Sequence, residues 1–337
     1  MRETETMLAT QVRRLAREGG IDVVRFTHAD RFEGYLLPNS PRRDPQLKLP
    51  EVSSLVVFGV YIGGFSLPEW DNPALGRTSR LFLSGFFSDV VQPLEPIASL
   101  LHEQGFSAHV CDGFQSGGSI LPLKLAAVRA GIGWQGKHTL VISQDYGTFL
   151  ALGGIVTDAP LPHDKGIEKD RCGKCRACQD ACPTGALDEP YQLRRERCLS
   201  SLYQQDTLSE NIYELMGNRI IDCEICQSVC PWNKKQLERP LATMRTRSFN
   251  ERIDSLTSDF YLLNLARLSE HDYEEFIAPY RAEIPYRIFR RNVMAALGCS
   301  KQPEALPLLQ AAVEDSYPEV REIARTSIGL LQDSQKR

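Results

Sequence analysis

No apolar run in this chain approaches the ~18 residues that a membrane-spanning helix requires, so the sequence offers no transmembrane segment. Its opening stretch, MRETETMLATQVRRLAREGG, is charged and amphipathic and lacks the apolar centre of a secretory signal. The twin-arginine-plus-apolar pattern of exported redox proteins is missing too. A soluble, cytoplasmic setting is expected. Excess positive charge is also absent. The formal net charge is -4 over 337 residues, which excludes a global basic field for nucleic acid but not a local basic face. What the chain does have is cysteine, ten in all, eight of them between residues 172 and 230. A disulfide framework suits small secreted domains, and this chain is neither small nor signal-bearing, so the cluster points to metal.

The run CGKCRACQDACPTGA contains C-x2-C-x2-C-x3-C-P as Cys172, Cys175, Cys178, Cys182 and Pro183. Such spacing wraps three thiolates round one iron–sulfur cubane, while the proline turn sends the fourth cysteine to a second cluster. Structural zinc instead uses two separated C-x2-C pairs. A second run, DCEICQSVCPW, repeats the pattern with Cys223, Cys226, Cys230 and Pro231. Its first ligand is missing, because Ile220 stands three residues before Cys223. Under the exchange rule Cys172, Cys175, Cys178 and Cys230 hold the first [4Fe–4S] cluster. Cys182, Cys223 and Cys226 hold the second, and Cys198 in RRERCLSSLY is the only nearby cysteine left to complete it. Cys111 and Cys299 lie outside the cluster. Cys299, in RNVMAALGCS, reads as a buried or helix-end residue.

The fold class expected is α+β in three parts. Residues 1–165 alternate helical and β-branched signals and read as an α/β catalytic domain. A helix is expected over ETMLATQVRRLAREGG and strands over IDVVRFT and SLVVFGVYI. SDVVQPLEPIASLLHEQGF reads as a helix, followed by a strand at SAHVC and a helix at LKLAAVRAG. HTLVIS and FLALGGIVTD suggest a hairpin around Asp145-Tyr146-Gly147. Residues 166–240 form a two-cluster ferredoxin-like domain. Residues 241–337 turn helical, and RIFRRNVMAALG recurs as PEVREIARTSIG at a HEAT-like spacing, pairing Arg290 with Arg321 and Gly298 with Gly329.

AGIGWQGKHTLVI (130–142), the first cysteine run, RCLSSLY and GNRIIDCEICQSVCPWN (217–233) together resemble the epoxyqueuosine reductase family. Those are cobalamin-dependent enzymes that modify tRNA, and the displaced cysteine is part of their pattern. The resemblance implies a base-off cobalamin between the N-terminal domain and two [4Fe–4S] clusters. It also implies tRNA held with help from the HEAT-like domain, and an external electron donor such as a flavodoxin or ferredoxin. Carried onto this sequence, Trp134, Gly136, Lys137, His138 and Thr139 would line the cofactor, with Ser200 near the corrin. From composition alone GIGWQGKH is a glycine-rich turn offering backbone amides and a cation for a phosphate-bearing tail.

One departure stands out. The family's proton-donor aspartate, in a D-[ST]-[AG]-P stretch, should fall seventeen residues before Trp134, where this chain has Gly117 within QSGGSILPLK. Asp112 is the nearest carboxylate and becomes a candidate donor. Related cobalamin reductases, including reductive dehalogenases, use a tyrosine, which makes Tyr146 a second candidate. YRAEIPYRIFRR (280–291) supplies Arg281, Arg287, Arg290, Arg291, Tyr280 and Tyr286 as an edge for RNA phosphates or, equally, a solvated helix face. The rival readings are a paralogue acting on another epoxide, halide or oxygenated compound, and a cobalamin-free electron carrier.

Overall fold

The computed structural model describes residues 2–32, 44–85, 92–111, 120–164, 166–208, 210–239, 241, 243, 247, 249–280 and 283–335. Asp112, Gly117 and Arg281 lie outside the described residues. The chain divides into two compact units, and each is built from non-contiguous segments.

The first unit comprises residues 1–64, 86–176 and 229–245. Its centre is a four-stranded sheet of order β1-β2-β6-β3, from Val23–His28, Ser54–Tyr61, Leu150–Thr157 and Ala108–Cys111, with every neighbouring pair antiparallel. All eight residues of β2 are buried, as expected of a strand covered on both faces. On one face Leu55, Val57 and Val156 meet Ala126, Ala127 and Ala130, from and just after the helix Leu123–Arg129. The period-two alternation of a strand sends Val56 and Phe58 to the other side. The helices expected at the N-terminus and before Gly105 are found at Arg2–Glu18 and Glu95–Glu103. One expected pairing differs. β5 (Val141–Ile142) pairs back to β4 (Trp134–Gln135), while β6 runs between β2 and β3. The turn itself forms, with Ser143 and Gly147 exchanging both backbone hydrogen bonds. Buried Asn233, just after the second cysteine run, accepts from the Thr148 N–H at 2.7 Å and donates to its hydroxyl at 2.7 Å, which fixes segment 229–245 in this unit.

The second unit comprises residues 65–85, 177–228 and 246–337. Segment 65–85 is laced into it by backbone bonds, Gly76 N–H to Phe260 O at 2.7 Å and Ile220 N–H to Arg77 O at 2.8 Å. The two repeat-like sequences form the helices Tyr286–Cys299 and Pro318–Gln335, which pack together with Ala305–Ala312 between them in sequence. Arg290 binds the Asp315 carboxylate, and Arg321 donates to the carbonyls of Asp315 and Ser316, so the paired arginines cap one turn.

Packing also distinguishes the paired glycines. A Cβ on Gly298 would lie 2.8 Å from the Ser327 Cα, whereas one on Gly329 would meet nothing within 4 Å. Gly298→Val is therefore expected to cost about 1–3 kcal/mol by overpacking. Gly329→Ala should be neutral or stabilising by up to about 1 kcal/mol. Thermal midpoints of the two variants measure the contrast, and equal losses would refute it.

Candidate metal centre

In the second unit the Cys223 and Cys226 thiols lie within electrostatic reach of Cys182 and Cys198. Burial pushes the Cys223 thiol up to about 11, and Cys198 and Cys182 add to the rise while Arg219 opposes it. Cys226 is raised further, by burial and then by Cys223, Cys198, Cys178 and Cys182. Five sulfurs, Cys178 among them, lying within 48 positions in sequence, are thus neighbours in this unit. Cys198, the residue the interrupted motif required, is among them.

The local scaffold explains how. Ser200 accepts a hydrogen bond from the Cys223 N–H at 2.9 Å and donates to the Cys223 carbonyl at 3.3 Å, so RCLSSLY is stitched to the second run. Tyr203, whose hydroxyl is buried without a partner, closes that stretch. Burial, then the nearby Cys223, hold the phenol well above its usual range. Glu224, between two ligands, is buried against Arg80, which binds it through both guanidinium and backbone N–H. Burial pushes the Glu224 carboxyl up and Arg80 pulls it down. Beneath the same stretch Asn292 donates to Tyr203 O and Ile220 O, and Arg291 to Tyr203 O, Gln205 O and Asp206 O.

This overturns the reading of 286–291 as a free basic edge. Arg291 is fully buried, Arg287 bridges Asp206 and Glu319, and Arg290 holds Asp315. Tyr286 donates to Leu268 O, and Tyr280 is buried and stacked on Phe82. The charges are internal struts because acids distant in sequence neutralise them. A cavity of about 420 Å³ opens in the same unit, walled by Pro183, Thr184, Glu196, Arg197, Leu202 and Gln205 among others. Two of these flank ligands of the second centre.

In the first unit Cys230 is buried with Trp134 and Ile142, and Cys172 and Trp232 pack against the same group. Trp134 meets Trp232 edge-on, with centroids 4.8 Å apart. Lys137 donates to Gly173 O at 2.7 Å and Cys175 O at 2.8 Å, which ties the glycine-rich turn to the first cysteine run. Burial raises the Cys172 thiol, opposed by the Lys137 backbone and the Trp134 side chain. Trp134 and Lys137 therefore face the cysteine run. None of the ten cysteines is in a disulfide. Among the described residues no group of three His, Cys, Asp or Glu closes tightly enough for a single ion.

Three proposed cofactor-lining residues remain. His138 is buried, and its Nδ1 accepts from the Leu140 N–H at 3.1 Å. The proton then belongs on Nε2, which is buried with no partner. Burial, helped by Lys124, lowers this imidazole to about 4, so it is neutral at pH 7. Thr139 takes φ of 69°, a left-handed conformation that β-branched residues avoid. Gly136 has no room for a side chain, since a Cβ would lie 2.6 Å from Ile142. An orphaned donor beside a strained residue fits a ligand that brings an acceptor. Tyr146 donates to Asp22 O at 3.4 Å, and burial with Asp22 keeps its phenol raised and protonated. Ser200 and Tyr203 are roles that cysteine spacing could not show; only the aromatic end of RCLSSLY hinted at the second.

The family described as 4Fe-4S double cluster binding domain matches residues 171–233. The epoxyqueuosine reductase of Bacillus subtilis (strain 168) is 29% identical over 364 aligned positions, covering 94% of this chain and 86% of that protein. The Escherichia coli (strain K12) epoxyqueuosine reductase is 38% identical over 166 residues, and that match spans 48% of this chain but only 43% of the relative. A crystal structure of epoxyqueuosine reductase with an epoxyqueuosine-modified tRNA-Tyr stem loop superposes with a TM-score of 0.77 at 25% identity, covering 98% of this chain and 94% of that one. This chain is related to the epoxyqueuosine reductases. The B. subtilis structure, described as having its catalytic aspartate loop swung out of the active site, gives 0.78 at 25% identity, covering 98% and 95%. The double-cluster match joins both cysteine runs and takes in Cys198.

Replacing Cys198 with Ala should take iron from about eight to about four per chain. Retention of all eight would remove Cys198 from the ligand set. His138 contributes stability that is complete above its unfolded pKa of about 6.5 and is lost as pH falls toward 4. Between pH 7 and 5.5 the wild type should lose about 1 kcal/mol more than His138→Asn, read from urea midpoints.

Proposed function

We propose that this protein reduces epoxyqueuosine to queuosine in tRNA, in the cytoplasm, using two [4Fe–4S] clusters and a cobalamin. The reaction removes the epoxide oxygen as water and consumes two electrons and two protons. The observation that supports the reading is the nearness of Cys182 and Cys198 to Cys223 and Cys226, with the Ser200 hydroxyl joining RCLSSLY to the second run. With all eight thiolates engaged the clusters keep no open position, so they conduct electrons and a further centre must meet the substrate. A bound cobalamin would supply the low-valent metal that takes those electrons and opens the carbon–oxygen bond.

The chain's own residues prepare that site. His138 would offer its unpaired Nε2–H, and Gly136 and Thr139 shape the adjoining turn. Lys137 and Trp134 hold the turn against the cysteine run. A flavodoxin- or ferredoxin-type donor suits the cavity beside Pro183 and Arg197, where a wall is made of the second centre's own flanks. Asp112 would give the proton to the leaving oxygen, with Tyr146 a weaker acid for the task because its phenol is raised.

Gly117, in the place of the family aspartate, supports a second reading, a paralogue that reduces another epoxide, halide or oxygenated compound. Reduced, cluster-loaded protein with cobalamin should convert epoxyqueuosine-containing tRNA to queuosine, read by mass spectrometry of digested nucleosides. Cobalamin binding without conversion would favour the paralogue, and failure to bind would leave an electron carrier. Asp112→Asn should slow conversion at least about 100-fold, the usual share of a general acid. Unchanged turnover would exclude Asp112.

A further inference from the structure

Trp134 sits in an unusual position for an indole. Its side chain is 1% exposed, and its ring N–H is buried with no oxygen or nitrogen acceptor; the group that it acts on is the Cys172 sulfur, whose thiol it lowers. An indole can only donate, so a buried indole N–H left to a sulfur is an arrangement that a fold rarely keeps without cause. The surroundings name the acceptor. Trp134 shares its buried group with Cys230, and Cys172 packs against it, both ligands of the first cluster. No carboxylate or carbonyl is paired with it. The Arg171 guanidinium lies 5.8 Å from the ring centroid.

The ring is also held still. Trp232 closes one side edge-on, and Gln135 and Val141 join the short ladder that pairs Trp134 with Ile142. Lys137, three residues on, anchors the turn to the carbonyls of Gly173 and Cys175, so the indole and the ligand loop are registered by the same segment. Sulfurs of a thiolate-ligated cluster carry negative charge that grows by one unit on reduction. A fixed N–H dipole aimed at them favours the reduced form and raises the potential.

We propose that the Trp134 Nε1–H donates a hydrogen bond to a sulfur of the cluster ligated by Cys172 and Cys230, and thereby sets that cluster's reduction potential. It is a tuning residue for electron transfer, and its replacement need not touch substrate or corrinoid. The inference rests on the assignment of Cys172 and Cys230 to one cluster.

The test is an anaerobic redox titration followed by electron paramagnetic resonance on full-length, two-cluster protein, wild type against Trp134→Phe. One midpoint potential is expected to move negative. At the wild-type midpoint the ratio of reduced to oxidised cluster should fall about tenfold, or about 59 mV for one electron, while the other cluster stays put. No shift in either would overturn the proposal. Should the variant fail to assemble, wild-type protein carrying indole-15N tryptophan decides instead. Electron–nuclear double resonance of the reduced cluster should show a 15N coupling and an exchangeable proton, and absence of both would overturn the proposal. Wild-type iron well below about eight per chain would overturn the ligand assignment, and the proposal with it.

Discussion

The structure depends most on one serine hydroxyl. Ser200 accepts from the Cys223 N–H and donates to the Cys223 carbonyl, which places Cys198 beside ligands that follow it by two dozen residues. An insertion of that length between two ligands carries a loop-closure cost that must be met by local contacts. Asn292 and Arg291, fully buried in the helix Tyr286–Cys299, meet it by donating from their amide and guanidinium groups to the carbonyls of Tyr203, Gln205, Asp206 and Ile220. The helical part of the second unit is therefore the frame on which the displaced ligand hangs. Its arginines are spent inside it.

The first unit solves the matching problem differently. Its cysteines in the two runs lie in two chain segments, 172–175 and 230, and the segment after Cys230 is pinned by Asn233 to the Thr148 backbone and hydroxyl. The glycine-rich turn supplies the other wall through Trp134 and Lys137. The same turn leaves His138 and Thr139 on residues that do not contact the cysteine run through any described bond, so one short loop divides its side chains between two tasks.

What the sequence could show was set by range. Cysteine spacing is local and chemically specific, and it yielded both runs, which the double-cluster match spans. Strands and helices with strong periodicity, such as Ser54–Tyr61 and Arg2–Glu18, were equally legible. The hairpin at Gly147 was mispaired because β4 has only two residues, too few to show an alternation, and β6 is drawn into the sheet by its longer partner β2. The basic edge at 286–291 was misread because its neutralising acids, Asp206, Glu319 and Asp315, are 25 to 81 positions away. The passage of segment 229–245 into the first unit leaves no composition signal at all, since buried Asn233 and Gln236 look like surface residues until their partners are seen.

The energetic state of the second centre follows from its burial. Cys223 and Cys226 are raised as thiols because water is excluded and their neighbours are also sulfurs. Without iron, Cys223 and Cys226 are held as protonated thiols, and a bound cluster would have to displace those protons. Ser200, Arg80 with Glu224, and Asn292 fix the backbone here through hydrogen bonds of their own. Bonds that involve no sulfur thus keep the cysteine-bearing segments in place, and in a partly buried setting small dipoles weigh more than they do in water.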